Sequence, residues 1–327
     1  GSQTRGLYGG GGTPSASNVI DFCSLVAGST FTDFGDLTVA RSSACGIGNS
    51  EGGMGGAQVQ RPSVTYMPGS GRALMVGGES ASGPYNSTAI DMIMIPTLGN
   101  SSDFGDVTVA AGYGLNAGSN LTRGLVGAGY VHPAATNSIR SIELASQGNT
   151  ADFGDVTVAR YYLGGAANTT RCIFAGGDTG SISDVIDFKT FASSGDATDF
   201  GNLSVTRGGT PGGCSSPTRA TFGGGQTSPA VSDVIDYITI GSTGNATDFG
   251  NLTVARQALA GTSSSTRGLI GGGLNPSLQD VIDYITIAST GDSTDFGNLS
   301  VARHSATGVS NNIRGVFMGG LQPAMGV

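Results

Sequence analysis

One tripeptide, Asp-Phe-Gly, constrains the fold of this 327-residue chain more than any other feature. Its six copies begin at Asp33, Asp103, Asp152, Asp199, Asp248 and Asp295. Successive copies are separated by 70, 49, 47, 49 and 47 residues. A catalytic metal ligand is needed once, whereas a repeat of about 48 residues is typical of β-propellers, in which each repeat forms one four-stranded sheet. The repetition therefore predicts an architectural role for the motif.

A protein kinase also carries Asp-Phe-Gly, where the aspartate holds magnesium. The other kinase elements are missing here, since the chain has no His-Arg-Asp loop and its only lysine is Lys189, in "VIDFKTF". A kinase needs a strand lysine and a catalytic-loop aspartate as well. The sequence therefore does not support phosphoryl transfer.

Each repeat contains four strand-like pieces, best seen in residues 218–265 and 266–312. They are "RGLI" before a glycine cluster, "VIDYITI", "NLTVAR", and a weak small-residue stretch such as "SATGVSN". Alternating apolar residues and dense β-branched residues favour strands. Turn formers such as those in "TGNATDFG" separate the pieces,. The pattern predicts four short antiparallel strands per repeat.

The Asp-Phe-Gly residues are interpreted as structural and are expected to lie just before the strand formed by "NLTVAR". We expect the aspartate to accept hydrogen bonds from backbone N–H groups of its own turn. The phenylalanine would fill the space between neighbouring blades, and the glycine would adopt a backbone conformation closed to other residues. The residues concerned are Asp33, Phe34, Asp103, Phe104, Asp152, Phe153, Asp199, Phe200, Asp248, Phe249, Asp295 and Phe296.

Two charged positions also recur. An arginine follows threonine at Arg5, Arg123, Arg171, Arg219 and Arg267, and an aspartate lies within "VID" or "AID" at Asp21, Asp91, Asp187, Asp236 and Asp283. One such arginine and one such aspartate per blade are expected to pair, within a sheet or between blades. "SIRSIEL" places Arg140 at the aspartate position, and this atypical blade is a candidate contact surface.

The repeat covers nearly the whole chain, which predicts a single domain over residues 1–327. Six copies of the second and third pieces predict a six-bladed β-propeller of four-stranded antiparallel blades, with seven blades as the alternative. The C-terminal segment would supply the missing strand of the first blade, which leaves one copy of the glycine strand redundant. The longer first interval indicates an insertion at about residues 48–70.

Composition excludes several kinds of partner. The net charge is −8, and the arginines are spread along the repeats, so a nucleic-acid footprint of clustered basic residues is not expected,. No apolar run is long enough for a membrane span, and no signal-peptide pattern is visible. The four cysteines form no Cys-x-x-Cys pair, which leaves buried thiols or disulfides as alternatives; they are Cys23, Cys45, Cys172 and Cys214,.

The sequence predicts no catalytic centre, no cofactor and no metal site. Its only glutamates are Glu51, Glu79 and Glu143, and its only histidines are His132 and His304. A glycosidase needs a placed carboxylate pair, and a serine hydrolase needs a histidine between serine and aspartate. Most aspartates belong instead to repeat or turn positions. The chain is therefore expected not to be an enzyme.

Binding residues are sought where the repeat is irregular, because function on a repeat scaffold is carried by its loops. The insertion offers Gln58, Gln60, Arg61 and Tyr66 for hydrogen bonding and stacking on a polar ligand. The next candidates are Tyr113 in "AGYGL" and the pair Tyr161 and Tyr162 in "RYYLGG". Packing of the loop against the ring, and of the tyrosines in the core, are the alternatives.

The pieces "LIGGG", "VIDYITI" and "VAR" together resemble a kelch repeat, although the chain lacks the tryptophan of many kelch blades. The longer phrase "VIDYITIASTG…TDFGNLTVAR" resembles kelch-like virion structural proteins of tailed phages, notably those that infect marine cyanobacteria. This resemblance extends over almost the whole chain.

The resemblance implies a virion or extracellular location and a tail-fibre or receptor-binding module. Its partners would be other virion proteins or a host cell-surface glycan, and an oligomer is compatible with the sequence. A carbohydrate-binding lectin with repeated sites and a sialidase-like propeller hydrolase are the alternatives. In sialidase propellers a related Asp-x-Gly turn is structural.

Overall fold

The computed structural model of the protein describes residues 11–13, 15–17, 19–22, 32–38, 45–48, 72–78, 87–94, 100–109, 113–209, 211–310 and 315–321. These residues form an all-β propeller. Five sheets of four antiparallel strands, called blades 1 to 5 below, follow one another along the described part of the chain. A sixth sheet, called the closing sheet, joins strands from the two ends of the chain.

The first four strands, which all join the closing sheet, are β1 (Gly11–Thr13), β2 (Ser15–Ser17), β3 (Val19–Phe22) and β4 (Thr32–Asp36). Blade 1 consists of β5 (Cys45–Gly48), β6 (Arg72–Val76), β7 (Ala89–Met94) and β8 (Ser102–Asp106). Blade 2 consists of β9 (Asn116–Ser119), β10 (Arg123–Gly127), β13 (Ser138–Glu143) and β14 (Ala151–Asp155), with a small hairpin of β11 (Tyr130–Val131) and β12 (Ala134–Ala135).

Blade 3 consists of β15 (Gly164–Ala167), β16 (Arg171–Ala175), β17 (Val185–Thr190) and β18 (Thr198–Asn202). Blade 4 consists of β19 (Gly212–Ser215), β20 (Arg219–Gly223), β23 (Val234–Thr239) and β24 (Thr247–Asn251), with a hairpin of β21 (Gln226–Thr227) and β22 (Ala230–Val231). Blade 5 consists of β25 (Ala260–Ser263), β26 (Arg267–Gly271), β27 (Val281–Thr286) and β28 (Thr294–Asn298). The last strands are β29 (His304–Ser310) and β30 (Gly315–Leu321).

The closing sheet connects the ends of the chain. Strand β30 pairs antiparallel with β29 and with β3, and β3 pairs with β4. Strand β1 adds a parallel pairing to β30 and is itself paired with β2. The first strand of each blade contacts the first strand of the next, and β29 contacts both β25 and β5, so this inner layer is a closed circle.

The prediction of six four-stranded blades, with seven as the alternative, is wrong. Among the described residues there are five such blades, neither six nor seven, and the closing sheet has six strands with one parallel pairing. The reason is that the glycine strand occurs at both ends of the chain. Strand β30 takes the place beside β3, so the N-terminal copy, β1, pairs along β30 instead.

The predicted set of strands is correct in three of its four pieces. The small-residue stretch, the "RGLI" piece and the "VIDYITI" piece form the first, second and third strands of a blade. The fourth strand is the Asp-Phe-Gly segment itself, as in β24, whereas "LTVAR" is an irregular connection to the next blade. Its apparent alternation arises because its side chains are buried against the neighbouring blade or exposed at the rim, without a ladder of strand hydrogen bonds.

The hydrophobic core lies between the blades. The second strand of each blade is buried almost throughout, because neighbouring blades cover both of its sides. At the boundary of blades 4 and 5, Phe249 and Leu252 pack with Leu259, Ile270 and Ile285. Similar clusters fill the other boundaries from blade 1 to the closing sheet. The described residues include no helix that is long and apolar enough to cross a bilayer.

Candidate functional site

Connections between strands lie on two faces of the propeller. One face, called the turn face, carries the turns between first and second strands and between third and fourth strands, such as 168–170 and 191–197 in blade 3. The other, called the loop face, carries the loops between second and third strands and the links from one blade to the next, such as 176–184 and 203–211.

On the turn face, the Asp-Phe-Gly strand joins one blade to the next. The Phe200 carbonyl accepts a hydrogen bond from Gly244 N–H of the following blade at 2.8 Å. The Asn202 carbonyl accepts from Ala246 N–H at 2.8 Å, and Asn202 N–H donates to Asn245 Oδ1 at 3.1 Å. The outer edge of each blade is thereby paired with the turn of its neighbour, which covers backbone groups that an edge strand would leave open. The same bonds recur around the ring, as between Phe249 and Gly291.

The Asp-Phe-Gly side chains follow this geometry. The rings at Phe104, Phe153, Phe200 and Phe249 are buried, and Phe296 is partly buried. The carboxylates at Asp103, Asp152, Asp199, Asp248 and Asp295 are exposed. Of these carboxylates, Asp295 accepts a bond from Gly297 N–H at 3.0 Å. The side chains of Asp33 and Phe34 lie outside those that the structure describes. The motif is thus an inter-blade contact within the fourth strand itself, and it does not precede a strand formed by "NLTVAR" as predicted.

Buried ion pairs cross the blade boundaries beneath the loop face. Arg160 Nη2 lies 2.7 Å from Asp187 Oδ2, and Arg256 Nη1 lies 2.9 Å from Asp283 Oδ2. Arg207 and Asp236 pair in the same way, and each of the six side chains is fully buried. Burial lowers the pKa of the three arginines, and the paired aspartate opposes that shift.

These pairs correct the predicted partner of the repeated aspartate. Among the described residues, the arginine of "VAR" or "VTR" pairs with the repeated aspartate, whereas the arginine after threonine does not pair with that aspartate. That second arginine stacks instead on an aromatic ring of its own blade, as Arg171 does over Phe188 at 4.3 Å. It also donates to a carbonyl of the next blade, as Arg171 does to Ile240 at 2.6 Å. A planar guanidinium can make both contacts at once.

At the boundary between blades 1 and 2, an arginine stands at the position of the repeated aspartate. Arg140 occupies the aspartate position in β13 and is buried, and the contact surface expected of this blade stays a prediction. The sequence has Ala111 where the preceding repeat would supply its arginine. Thr108 bonds with Thr150 here, at 3.2 Å between hydroxyls, whereas Thr157 donates to the Asp187 carboxylate at 2.7 Å.

At the middle of the central channel, the inner strands lie so close together that only glycine fits. A Cβ atom added to Gly213 would collide with the Gly165 carbonyl, one on Gly261 with the Gly213 carbonyl, and one on Gly308 with the Gly261 carbonyl. These four glycines border both mouths of the channel. Inner strands can approach so closely only without side chains at this level.

Equivalent positions around the loop-face mouth carry unlike side chains. Each described link forms one bridge to the sheet that follows it, at matching places in the repeat. The bridged pairs are Tyr113 with Tyr130, Tyr161 with Asp178, Gly208 with Gln226, Gln257 with Leu274, and His304 with Leu321. The same backbone therefore presents aromatic, acidic, amide and aliphatic groups in turn.

Four of the nine tyrosines of the chain meet at this mouth, at blades 2 and 3. The Tyr113 ring stacks on Tyr130 at 4.8 Å and 13°, and on Tyr162 at 5.5 Å and 28°. Tyr161 meets Tyr130 edge-on at 5.3 Å. All four are partly exposed, and Tyr162 also lines the channel mouth. We call these four residues the tyrosine cluster.

Tyr162 has a left-handed backbone with φ of 58°. Gly114 and Gly209 occupy the same place in neighbouring links, with φ of 70° and 65°. A left-handed conformation costs a residue with a side chain about 1–2 kcal/mol. Ala258 and Ser305 have φ of 56° and 54° at the same place in two other links, so the conformation belongs to the repeat.

Asp178 lies beside the tyrosine cluster. Backbone bonds join Asp178 N–H to the Tyr161 carbonyl at 2.8 Å and Tyr161 N–H to the Asp178 carbonyl at 3.1 Å. The Asp178 carboxylate accepts from Gly180 N–H at 2.7 Å. Burial, and then the charge of Asp178 with its hydrogen bond, raise the pKa of the Tyr161 hydroxyl. The cluster thus combines ring faces, hydroxyls and one carboxylate.

The described loop-face segments carry no exposed cation. Their arginines are Arg160, Arg207, Arg256 and Arg303, all buried, and they contain no lysine. Asp178 and Asp184 are partly exposed. Within the described ranges, no group of three histidine, cysteine or acidic side chains could hold a metal ion. The described face is therefore neutral to acidic.

The structure brings Tyr113, Tyr161 and Tyr162 together, as three binding candidates chosen from sequence. Gln58, Gln60, Arg61 and Tyr66 lie outside the described residues, as does the rest of the predicted insertion between residues 49 and 71. Sequence reasoning missed Tyr130 and Asp178. Tyr130 follows Ala128-Gly129 and Asp178 follows Gly176-Gly177, and this place directly after the glycine cluster was the available signal.

The cysteines that the structure describes are free. Cys172 and Cys214 are buried, and burial raises the pKa of both thiols, that of Cys214 to about 12. They act as small core residues. The side chains of Cys23 and Cys45 lie outside the described part of the chain.

No protein-family model matches the chain, and no curated protein matches its sequence.

Proposed function

We propose that this protein is a non-enzymatic recognition module whose loop face binds a cell-surface ligand or a partner protein. The observation that carries the proposal is the segregation of repeated and varied residues. The residues that recur from blade to blade make inter-blade contacts, whereas each of the five described bridged pairs at the loop-face mouth has its own combination of side chains. A rigid ring that holds unlike side chains around one mouth is suited to specific binding.

The module belongs, on this proposal, to the virion of a tailed phage. The support is the resemblance of the repeat "VIDYITI…TDFGNLTVAR" to kelch-like virion proteins. The ligand would be a host-surface glycan or another virion protein, and the location is the virion or its extracellular surroundings. Low charge suits this role, because charge steering is screened in salt water.

The closing sheet, on the same proposal, completes the kelch-like ring through β29, β30, β3 and β4. Its support is the inner circle, in which β29 contacts β25 on one side and β5 on the other. A ring closed by strands from both chain ends resists opening. Removal of residues 304–327 should then destabilise the whole protein, which thermal unfolding would measure against the full chain.

The absence of enzyme activity is part of the proposal. The repeated aspartates Asp187, Asp236 and Asp283 are paired with arginine beneath the surface, where they are not accessible to substrate. Asp91 is likewise buried and accepts a hydrogen bond from Thr38. A sialidase-like hydrolase would need cations for an acidic sugar, and the arginines of the described loop face are buried.

The test covers one face at a time. Ser181 on the loop face and Ser194 on the turn face are exposed serines of blade 3. Each is replaced by cysteine and coupled to a maleimide-linked polyethylene glycol. The parent protein, treated in the same way, shows any coupling at its own cysteines. Binding to intact cyanobacterial cells and to their extracted surface polysaccharide is then measured.

We expect coupling at Ser181→Cys to reduce binding and coupling at Ser194→Cys to leave it unchanged. The reverse order would overturn recognition through the loop face. Absence of binding by all proteins, shown to be folded by circular dichroism, would overturn host recognition. Turnover of a glycoside by the parent protein would overturn the non-enzymatic role.

A further inference from the structure

We infer that the tyrosine cluster and Asp178 form a single site for a neutral sugar ring, so that each propeller binds one glycan chain end or segment. This inference rests on the proposed function, since it names the ligand class of the loop face. It differs from a lectin with one site per blade, because the cluster occurs at one place on the ring.

The geometry of the rings supports a stacking site. Tyr130, Tyr113 and Tyr162 form a continuous offset stack that runs toward the channel mouth. Tyr113 is covered on both sides, so the partly exposed rings at the two ends, Tyr130 and Tyr162, are those that can receive a ligand. Aromatic rings with a polar tip suit ligands that are apolar on one side and hydroxylated on the other. A pyranose ring has this character.

Hydrogen-bonding groups lie around the stack. The Asp178 carboxylate accepts a bond from Gly180 N–H at 2.7 Å, and the backbone of Asp178 is bonded to that of Tyr161. The channel mouth that Tyr162 lines also carries Ser305 and Thr307. A carboxylate accepts bonds from two neighbouring sugar hydroxyls, and a phenol both donates and accepts.

The charge of the described face selects among sugars. An acidic sugar would approach Asp178 without a cation nearby, because the arginines of this region are buried and paired or bonded to backbone. Burial of an unpaired carboxylate is costly. A neutral hexose carries no such penalty, so the site favours neutral over acidic sugars.

The side chain at position 162 is the second observation, because the backbone at this place is left-handed in every described link. A tyrosine is kept in a left-handed position where neighbouring links have glycine. Its N–H bonds to the Gly114 carbonyl at 3.0 Å, which holds the ring at the mouth. Core packing alone would not require an aromatic side chain here, since the other links pack around Gly114, Gly209, Ala258 and Ser305 with similar backbone angles.

The test uses the full chain and a panel of immobilised oligosaccharides with neutral, amino or acidic sugars. The chain has no tryptophan, so its intrinsic fluorescence comes from tyrosine and reports a ligand on the cluster directly. Tyr162→Gly removes one ring at a position whose backbone suits glycine, and is therefore expected to fold. Tyr130→Phe keeps the stack without its hydroxyl. Gln257→Ala changes the position equivalent to Tyr161 across the mouth and is the matched control.

We expect binding to neutral sugars at one site per chain, with a change in tyrosine fluorescence. Tyr162→Gly should weaken binding about tenfold, and Gln257→Ala should leave it within about twofold. A stoichiometry of about five or six per chain, a preference for acidic sugars, or unchanged binding by Tyr162→Gly would overturn the inference.

Failure of this inference can be distinguished from failure of the proposed function. If coupling at Ser181→Cys abolishes cell binding while Tyr162→Gly has no effect, the loop face binds through other residues. If coupling at Ser181→Cys has no effect, the proposed function itself is wrong.

Discussion

The turn face and the loop face are built on the same strands, yet they use the repeat in opposite ways. On the turn face the same residues recur and bond to the neighbouring blade, as Phe200 does to Gly244. At the loop-face mouth the bridged pairs share a backbone geometry and differ in side chain, as Tyr161 with Asp178 differs from Gln257 with Leu274. The difference shows that stability and recognition are carried by separate layers of this ring.

The largest decrease in the free energy of unfolding is expected from breaking a buried ion pair between blades. Arg207→Met would leave Asp236 buried without its cation and should lower the free energy of unfolding by about 4 kcal/mol. Urea unfolding followed by circular dichroism measures this loss. The double variant Arg207→Met with Asp236→Leu removes both charges and should be more stable than Arg207→Met. If it is less stable, the loss does not arise from an uncompensated charge.

Truncation of one Asp-Phe-Gly ring should have a slightly smaller effect. Phe249 is 3% exposed and packs between blades 4 and 5. Phe249→Ala should therefore lower the free energy of unfolding by about 3 kcal/mol, through lost contacts and a cavity. Thermal and urea unfolding would both report it. Phe249→Leu is the control, and a loss as large as that of Phe249→Ala would contradict the cavity explanation.

The glycine of the motif offers a sharper comparison. A Cβ atom on Gly201, with φ of 141°, would lie 2.6 Å from the Gly244 carbonyl oxygen. Gly244 itself has φ of 154° and open space around its own Cβ position. Gly201→Ala should cost about 2 kcal/mol, and Gly244→Ala clearly less, as measured by unfolding in urea. Equal losses would show that backbone strain alone, without the inter-blade contact, accounts for the effect.

Lys189 is a lysine at a repeat position that other blades fill with isoleucine, and it can be replaced by that residue. It is 5% exposed in β17, at a position where Ile142, Ile238 and Ile285 stand in other blades. Burial lowers its pKa, so the fold disfavours its charged form. Lys189→Ile should raise stability by about 1 kcal/mol, despite the lost contact of the ammonium with the Phe153 ring at 5.2 Å,. A lower melting temperature would show that the Lys189 ammonium stabilises the boundary between blades 2 and 3.

The smallest effects on stability are expected on the loop face. Gln226 and Ser181 are exposed, and their side chains lie outside the inter-blade contacts. Gln226→Ala and Ser181→Ala should each change the free energy of unfolding by less than about 0.5 kcal/mol. A loss above about 1 kcal/mol at either position, measured by the same unfolding assay, would break the separation of the two layers.

The repeat period was sufficient to predict a propeller because each blade is one supersecondary unit that must be covered by its neighbours. The "RGLI" and "VIDYITI" strands followed from local pattern. The assignment of "NLTVAR" as a strand failed because its burial is imposed by the next blade. The number of four-stranded blades failed because two copies of the glycine strand compete for one place beside β3.

The candidate site was predicted only in part. Tyr113, Tyr161 and Tyr162 were chosen as isolated departures from the repeat, and no local pattern related Tyr113 to Tyr130 or Tyr161 to Asp178. Each of those contacts joins a link to the loop of the blade that follows it. They are set by the packing of the loop face, which sequence spacing does not reveal.

The sequence by itself determined the repeated unit, the apolar faces of its strands and the structural character of Asp-Phe-Gly. The tertiary structure alone decided which arginine meets the repeated aspartate, and it gathered four tyrosines at one mouth. The physical reason is distance along the chain. Arg160 and Asp187 are 27 positions apart, and Arg207 and Asp236 are 29 apart. Such partners meet only after whole sheets have packed against each other.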